Sequence, residues 1–333
     1  MLDHGGRLRA AARQYAPFCG AALGDWLDLS TGINPHAYPV PEIDADCWRR
    51  LPEDDDGLEA AAAAYYGSDR GLALAGSQAA IQLLPALFRP VVVACLTPIY
   101  EEHPQAWERA GHKLRRLSQA PLARALAAAT PLVVLCNPNN PTAGTLPAAA
   151  LLDAAAQLQR RGGWLIVDEA FGDATPDNCV TALAGGPAAP NLIVLRSLGK
   201  IFGLDGASEG FVFGEREEVD IVGEAIGPWP LSGPARAVAR QALADTAWQQ
   251  CTRGELIAAS ARLAVLLAPF GAVHACALFA TVATPQSFAL YEHLARQAIL
   301  TRHFPAHGLL RFGLPGSEAE WQRLAAALAN FAP

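Results

Sequence analysis

The chain has 333 residues, 52% of them hydrophobic and 17% charged, which suits a folded protein with room for a full core and, as a soft prior, two domains, and excludes a disordered one. Its formal net charge of -7 gives no electrostatic footprint for nucleic acid or an anionic membrane, so an anionic small substrate has to be met by local arginines. The seven cysteines lack a C-x-x-C pair and no signal-peptide pattern precedes them. The longest apolar region, 266–282, is broken by Pro269, Gly271 and His274. These features point to a cytoplasmic protein with reduced thiols and no membrane span. The histidines form no metal-ligand helix, since Pro305 separates His303 from His307, and no metal is expected.

In chain order, the segment to about Pro41 is turn-rich, with His4-Gly5-Gly6 and the run from Leu27 to Pro35 (LDLSTGINP) as its notable pieces. Acidic Glu53 to Asp56 precede an alanine-rich helix, Leu58 to Tyr66, that Gly67 stops. A repeating order of strand, loop and helix follows. Ala75-Gly76-Ser77-Gln78 opens a short helix that Pro85 should kink or shorten. Val91 to Leu96, Leu132 to Cys136, Trp164 to Val167 and Leu192 to Leu195 read as buried strands, and a helix runs from Pro147 to Arg161 with Gly162 as its stop. Glu215 to Glu218 reads as a solvated helix start, 234–267 as one long helical region, and 276–331 as a smaller mixed unit. Four apolar strands with interposed helices argue for a mostly parallel sheet covered on both faces, with ligands at the carboxyl ends of its strands.

Those strand ends carry the chemistry. Lys200 is one of only two lysines, and it follows the apolar run 192–195. A primary amine forms a Schiff base with an aldehyde, which a guanidinium cannot do. The other loops supply Gly76, Ser77 and Gln78 at a helix start, Tyr100 with His103, Asn140 before a proline, Asp168 at a strand end, and Ser197. Pyridoxal 5'-phosphate needs this set: amides and hydroxyls for its phosphate, a carboxylate for its ring nitrogen, a donor to its phenolic oxygen, a flat partner for its ring and an amine for its aldehyde. Taken singly, Asp168 is equally a loop cap, Asn140 a turn residue, Tyr100 a core residue, His103 and Arg311 surface residues, and Ser77 a helix cap. Their joint occurrence in this order favours the cofactor.

In this order and spacing the chain resembles the fold-type I pyridoxal-phosphate enzymes, the aspartate aminotransferase superfamily. Within it, HGG, LDLSTGINP, NPNNPT, VDEAF, ILTRHF and LRFGLPG look like the threonine-phosphate decarboxylases of cobalamin biosynthesis, near relatives of the histidinol-phosphate aminotransferases. The resemblance implies an α/β fold: a three-layer αβα large domain with a mostly parallel sheet over residues 46–222, a smaller α+β C-terminal domain over 223–333, and an N-terminal arm, 1–45, packing with the small domain. It implies that Lys200 bonds the cofactor aldehyde and works as general acid/base at Cα. Asp168 would face the ring nitrogen and Asn140 the phenolic oxygen, with Tyr100 stacked on the ring and His103 behind it. Gly76, Ser77, Gln78 and Ser197 would hold the cofactor phosphate. Arg311 would meet the substrate carboxylate, and His4, Gly5, Asn34 and Arg302 would lie around the substrate phosphate or carboxylate. A homodimer and a small phosphorylated amino-acid substrate are implied as well.

The chain departs from that pattern at named places. Ser208, followed by Glu209, stands eight residues after Lys200, where relatives place a phosphate-gripping arginine. Ala143 lengthens the turn after NPT. Leu51 and Phe171 stand where relatives often carry tyrosines. Three functions follow in order: decarboxylation of L-threonine O-3-phosphate, transamination of a phosphorylated or aromatic amine such as histidinol phosphate, and a non-catalytic binding role.

Overall fold

The computed structural model describes residues 4–118, 122–127 and 130–332. These divide into two compact units, one made of residues 37–140 and 145–253, the other of the described residues up to His36, Pro141–Gly144 and the described residues from Gly254 on.

The first unit is built on a seven-stranded sheet. Its strands are β1 (Gly71–Leu74), β2 (Val92–Thr97), β3 (Lys113–Ser118), β4 (Leu132–Cys136), β5 (Trp164–Asp168), β6 (Leu192–Ser197) and β7 (Gly210–Phe213), in spatial order β1-β7-β6-β5-β4-β2-β3. Only β7 runs against the rest, pairing antiparallel with β1 and with β6. Every residue of β4 and β6 is buried. Successive side chains of a strand point to opposite faces, so both faces of the sheet are covered, as the apolar runs predict. The helices that matter below are α1 (Leu58–Tyr66), α2 (Ser77–Leu87), α3 (Glu102–Arg109), α4 (Ala148–Gln159), α5 (Arg216–Ile226), α6 (Gly233–Ala244) and α7 (Thr246–Leu267). On one face Val93, Val134, Ile166, Ile193 and Val212 pack with Ile81 and Leu84 of α2, Trp107 of α3 and Val222 of α5.

A strand and a helix break escape the sequence reading. Strand β3 (KLRRLS) is an edge strand with mostly exposed, cationic side chains, so it lacks the apolar run that betrays a central strand. The predicted long helix over 234–267 is two helices, α6 and α7, because Asp245 leaves helical geometry at ψ 78 and its carboxylate caps α7 by accepting the Trp248 N–H at 3.0 Å. The acidic residues before α1 also do more than complement its dipole. Asp56 takes the Leu58 N–H, but it also receives buried Arg236 of α6 at 2.8 Å, as does Glu59. That clamp holds α6 on α1.

The second unit has a four-stranded antiparallel sheet: β8 (Ala272–Cys276), β9 (Phe279–Ala283), β10 (Arg302–Phe304) and β11 (Leu309–Gly313), in order β10-β11-β9-β8. A short parallel pair, Leu27–Asp28 with Ile299–Leu300, draws the N-terminal residues into it, and Tyr15 and Trp26 pack there with Ala298 and Leu300. No helix among the described residues is long and apolar enough to cross a membrane.

A buried ion cluster locks the strand ends of the first unit. Arg196 of β6 donates to Glu169 at 2.9 Å and to Asp173 at 2.7 Å, and all three are buried. Glu169 also accepts the Val180 N–H at 2.7 Å and the Thr181 hydroxyl at 2.5 Å. Removing the guanidinium leaves two buried carboxylates without a cation. Arg196→Met is therefore expected to lower unfolding free energy by about 3–5 kcal/mol, read as a drop in the guanidinium chloride midpoint; an unchanged midpoint would refute the arrangement.

Candidate active site

Register sorts the strand-end residues of the first unit. Cys136 pairs with Asp168, Asp168 with Leu195, and Ser197 with Gly210, so these residues share the sheet face on which α2 and α3 lie. Arg196 pairs with Phe211 on the opposite face. The alternation of β6 therefore separates a structural cation from the site residue next to it.

Asp168 is the anchor of the site face. It is 4% exposed, and its Oδ2 accepts from His103 Nε2 at 2.8 Å, His103 being 1% exposed. Its Oδ1 accepts the Ala170 N–H at 3.0 Å. A carboxylate has about four lone-pair positions, so both oxygens retain acceptor capacity for a third partner. The Cys136 thiol lies 3.8 Å from Oδ2. Burial, reinforced by Asp168, pushes that thiol well above its ordinary range, and the Tyr100 and Asn140 backbones close around it. His103, Cys136 and Asp168 bring their ligand atoms within 4.8 Å of one another, but His103 and Asp168 are engaged with each other and the thiol keeps its proton. Cys136, absent from the sequence-based site, is thus the packing centre of Asp168, Tyr100 and Asn140. Its signal was its place at the end of the all-apolar run 132–136.

Tyr100 stands edge-on to His103, ring centroids 6.3 Å apart, and its hydroxyl donates to Gln78 Oε1 at 3.3 Å. Burial first, then the carboxylates of Glu102, Asp168 and Asp205, push its phenol far up, so it stays neutral. Gln78 Nε2 donates to Glu102 at 3.1 Å. The Gln78 side chain is committed to these neighbours, which leaves its backbone N–H as its contribution to an anion site. Asn139, next to Asn140, ties the two loops by donating to the Pro98 carbonyl at 2.9 Å.

The start of α2 is shaped for an anion. Gly76 caps it at φ 75, ψ 159, a conformation costly to any residue with a side chain, and Ser77 is its first residue. A Cβ on Gly210 would lie 2.5 Å from the Ser77 backbone nitrogen. Glycine at 210 therefore lets β7 approach the helix mouth, where unpaired N–H groups favour a phosphate. Ser197 is buried at the end of β6. Lys200 follows in a short helical turn, Leu198–Ile201, and its Nζ donates to Asp205 Oδ1 at 2.6 Å.

The donor set fits pyridoxal phosphate: helix-mouth amides, a buried carboxylate with spare acceptor capacity, a neutral aromatic and a primary amine all belong to one compact unit. One feature runs against the usual pattern. Ser208 is left-handed at φ 54, and Glu209 after it is 1% exposed with neither carboxylate oxygen hydrogen-bonded. Burial alone pushes the Glu209 carboxyl up to about 8.

The proposed substrate residues all lie in the second unit. His4, Gly5 and Arg302 line one cavity of about 340 Å³ together with Ser30, Tyr291 and His303. Gly5 fits there because a Cβ would lie 2.3 Å from the Ser30 carbonyl oxygen. Arg311 is a direct cross-strand partner of Arg302; it is buried over the Phe279 and Phe304 rings and donates to the Ser30 carbonyl at 2.7 Å. Asn34 is buried outside the cavity lining, its Oδ1 accepting the His36 N–H at 2.9 Å.

The family model for aminotransferase class I and II matches residues 49–328. The chain is similar to a threonine-phosphate decarboxylase of Pseudomonas aeruginosa, 51% identical over 99% of this chain and 98% of that one. A threonine-phosphate decarboxylase of a Sinorhizobium species is 40% identical over 99% and 98%. Among solved structures, histidinol-phosphate aminotransferase from Sinorhizobium meliloti in complex with pyridoxal-5'-phosphate shares the fold at a TM-score of 0.82 and 22% identity, over 98% of this chain and 94% of that one.

Glu209 makes stability depend on pH with a definite sign. From its ordinary value of 4.5 up to about 8 the native state holds a proton that the unfolded chain releases. Stability therefore falls as pH rises through that window, by at most about 1.4 kcal/mol per pH unit, and levels off above it. Glu209→Gln should flatten this slope, as seen in urea midpoints from pH 5 to 9; a variant that parallels the parent protein would contradict it.

Proposed function

We propose, for a chain that belongs to the aminotransferase class I and II family and within it to the threonine-phosphate decarboxylases, that it binds pyridoxal 5'-phosphate and converts L-threonine O-3-phosphate into CO2 and (R)-1-amino-2-propanol phosphate, the cobalamin linker. The observation that carries this reading is 51% identity, across essentially the whole chain, to a protein named for that activity. The retained Lys200, Asp168 and Asn140 support it.

When bound, pyridoxal phosphate supplies a sink for the electron pair left on Cα as CO2 departs. The residues of this chain arrange that chemistry. Asp168, oriented by His103, would pair with the ring nitrogen and favour its protonated form. Asn140 would donate to the phenolic oxygen, and Tyr100 would be the flat partner of the ring. The amides of Gly76, Ser77 and Gln78 at the start of α2, with Ser197, hold the phosphate. Lys200 would hold the cofactor through its amine and, once free of it, would carry on Nζ the proton given to Cα. Arg311 meets the substrate carboxylate, and His4, Gly5, Asn34 and Arg302 surround the substrate phosphate or carboxylate. Which bond at Cα breaks depends on how those two anionic ends are held.

We further read the protein as a cytoplasmic homodimer acting on a small phosphorylated amino acid. The seven cysteines form no disulfide, which favours a reducing compartment, and exposed Trp48, Leu51 and Trp229 offer apolar surface for a second copy.

Incubation of the cofactor-loaded protein with L-threonine O-3-phosphate should release one CO2 per amino-propanol phosphate formed. Lys200→Ala should lower that rate at least about a thousandfold. Stoichiometric keto product with accumulation of the pyridoxamine form would instead identify a transaminase, and a loaded protein yielding neither product would overturn both.

A further inference from the structure

Asp205 has no part in the cofactor set described above, yet its carboxylate meets the one amine that matters. Lys200 Nζ lies 2.6 Å from Asp205 Oδ1, with the lysine side chain 22% exposed and the aspartate 39%. The chain makes room for this contact. A Cβ on Gly199 would lie 2.5 Å from the Asp205 Cα and 2.6 Å from its Oδ1, so any side chain at 199 would displace the carboxylate. Gly203, at φ 67, turns the chain between the lysine and Asp205, and the Asp205 carbonyl accepts the Ser208 N–H at 3.2 Å. Asp205 is also one of the carboxylates whose charge bears on the Tyr100 phenol. A partly exposed ion pair contributes little to stability. Its position beside the reacting amine, in space vacated by a glycine, calls for a chemical reason.

We propose that Asp205 is a positioning residue that anchors the Lys200 amine through a charge-assisted hydrogen bond whenever the lysine is free of the cofactor, favouring its use as the donor of a proton to Cα over its use as an acceptor. This rests on the decarboxylase reading. In that reaction the bond from Cα to the carboxylate carbon breaks, its electron pair stays on the Cα side, and CO2 leaves. One Nζ–H bond of Lys200 then breaks, and its proton uses that pair to form the new Cα–H bond. Nζ is left neutral and regains its proton from water beside Asp205. Transamination begins the other way round, with a neutral amine removing the proton of Cα. The Asp205 carboxylate at 2.6 Å can only accept from the amine, so it pairs with the proton-bearing amine that the first task uses.

The test uses the fact that the chain has only two lysines, Lys200 and the exposed Lys113. Full-length protein stripped of cofactor is acylated with a small amine-selective reagent at pH 7.5, and mass spectrometry gives the labelling ratio of Lys200 to Lys113. Asp205→Asn should raise that ratio about three- to fivefold, and Asp205→Glu should restore it toward the parent value. In the loaded enzyme, Asp205→Asn should also raise the pyridoxamine form accumulated per CO2 released. An unchanged labelling ratio overturns the inference whatever the reaction is. An unchanged partition with an altered ratio overturns the bias toward proton donation. A parent protein that releases no CO2 from L-threonine O-3-phosphate, while the ratio responds, removes the decarboxylase reading and leaves the Asp205–Lys200 pairing in place.

Discussion

The strand ends of the first unit depend on the buried Arg196–Glu169–Asp173 cluster. Three ionised groups taken out of water are stable only while each has hydrogen-bonding partners, and here one guanidinium joins the end of β6 to the loop that leaves β5. Asp168 sits at that β5 end, and Ser197 and Lys200 follow Arg196 directly. The cluster works from the face of the sheet opposite to Asp168 and Ser197. Strand alternation thus keeps a permanent structural charge off the face that carries Asp168 and Ser197 while fixing the spacing of the two loops that follow β5 and β6.

On the face of Asp168 the electrostatics are arranged by burial more than by added charge. Tyr100 and Cys136 are held neutral by desolvation, and the carboxylate of Asp168 is aimed by a buried histidine. The lysine loop differs in kind. It carries Asp205 against the amine, Ser208 in left-handed geometry, and Glu209 buried without a partner. Of these, only Asp205 has an ionic partner in the structure. Glu209 is tolerated because burial favours its neutral, protonated form, whose cost is far below that of a bare carboxylate in the same place.

The second unit shows the same economy with arginines. Arg311 and Arg302 are cross-strand neighbours, a like-charge pairing that would be unfavourable in isolation. Arg311 offsets this by lying over two aromatic rings and donating to a backbone carbonyl, while Arg302 faces a cavity that an anion could fill. Gly5 exists there for space, since the Ser30 carbonyl occupies the volume a side chain would need.

The amino-acid sequence by itself determined the central strands and singled out a candidate cofactor set. Buried parallel strands must be apolar along their whole length, and a pyridoxal-phosphate site needs particular functional groups at successive strand ends, so both leave a linear trace. Edge strand β3 left none, because a strand with a solvated face and edge needs few apolar residues. The break between α6 and α7 was hidden because Asp245 serves as an ordinary helical residue or as a cap with equal ease. Only the tertiary structure decided that Asp56 and Glu59 clamp Arg236, that Cys136 is the packing centre behind Asp168, and that Asp205 reaches Lys200 across the space left by Gly199. Each of these is a contact set by how the chain turns in three dimensions, and no spacing rule along the sequence encodes it.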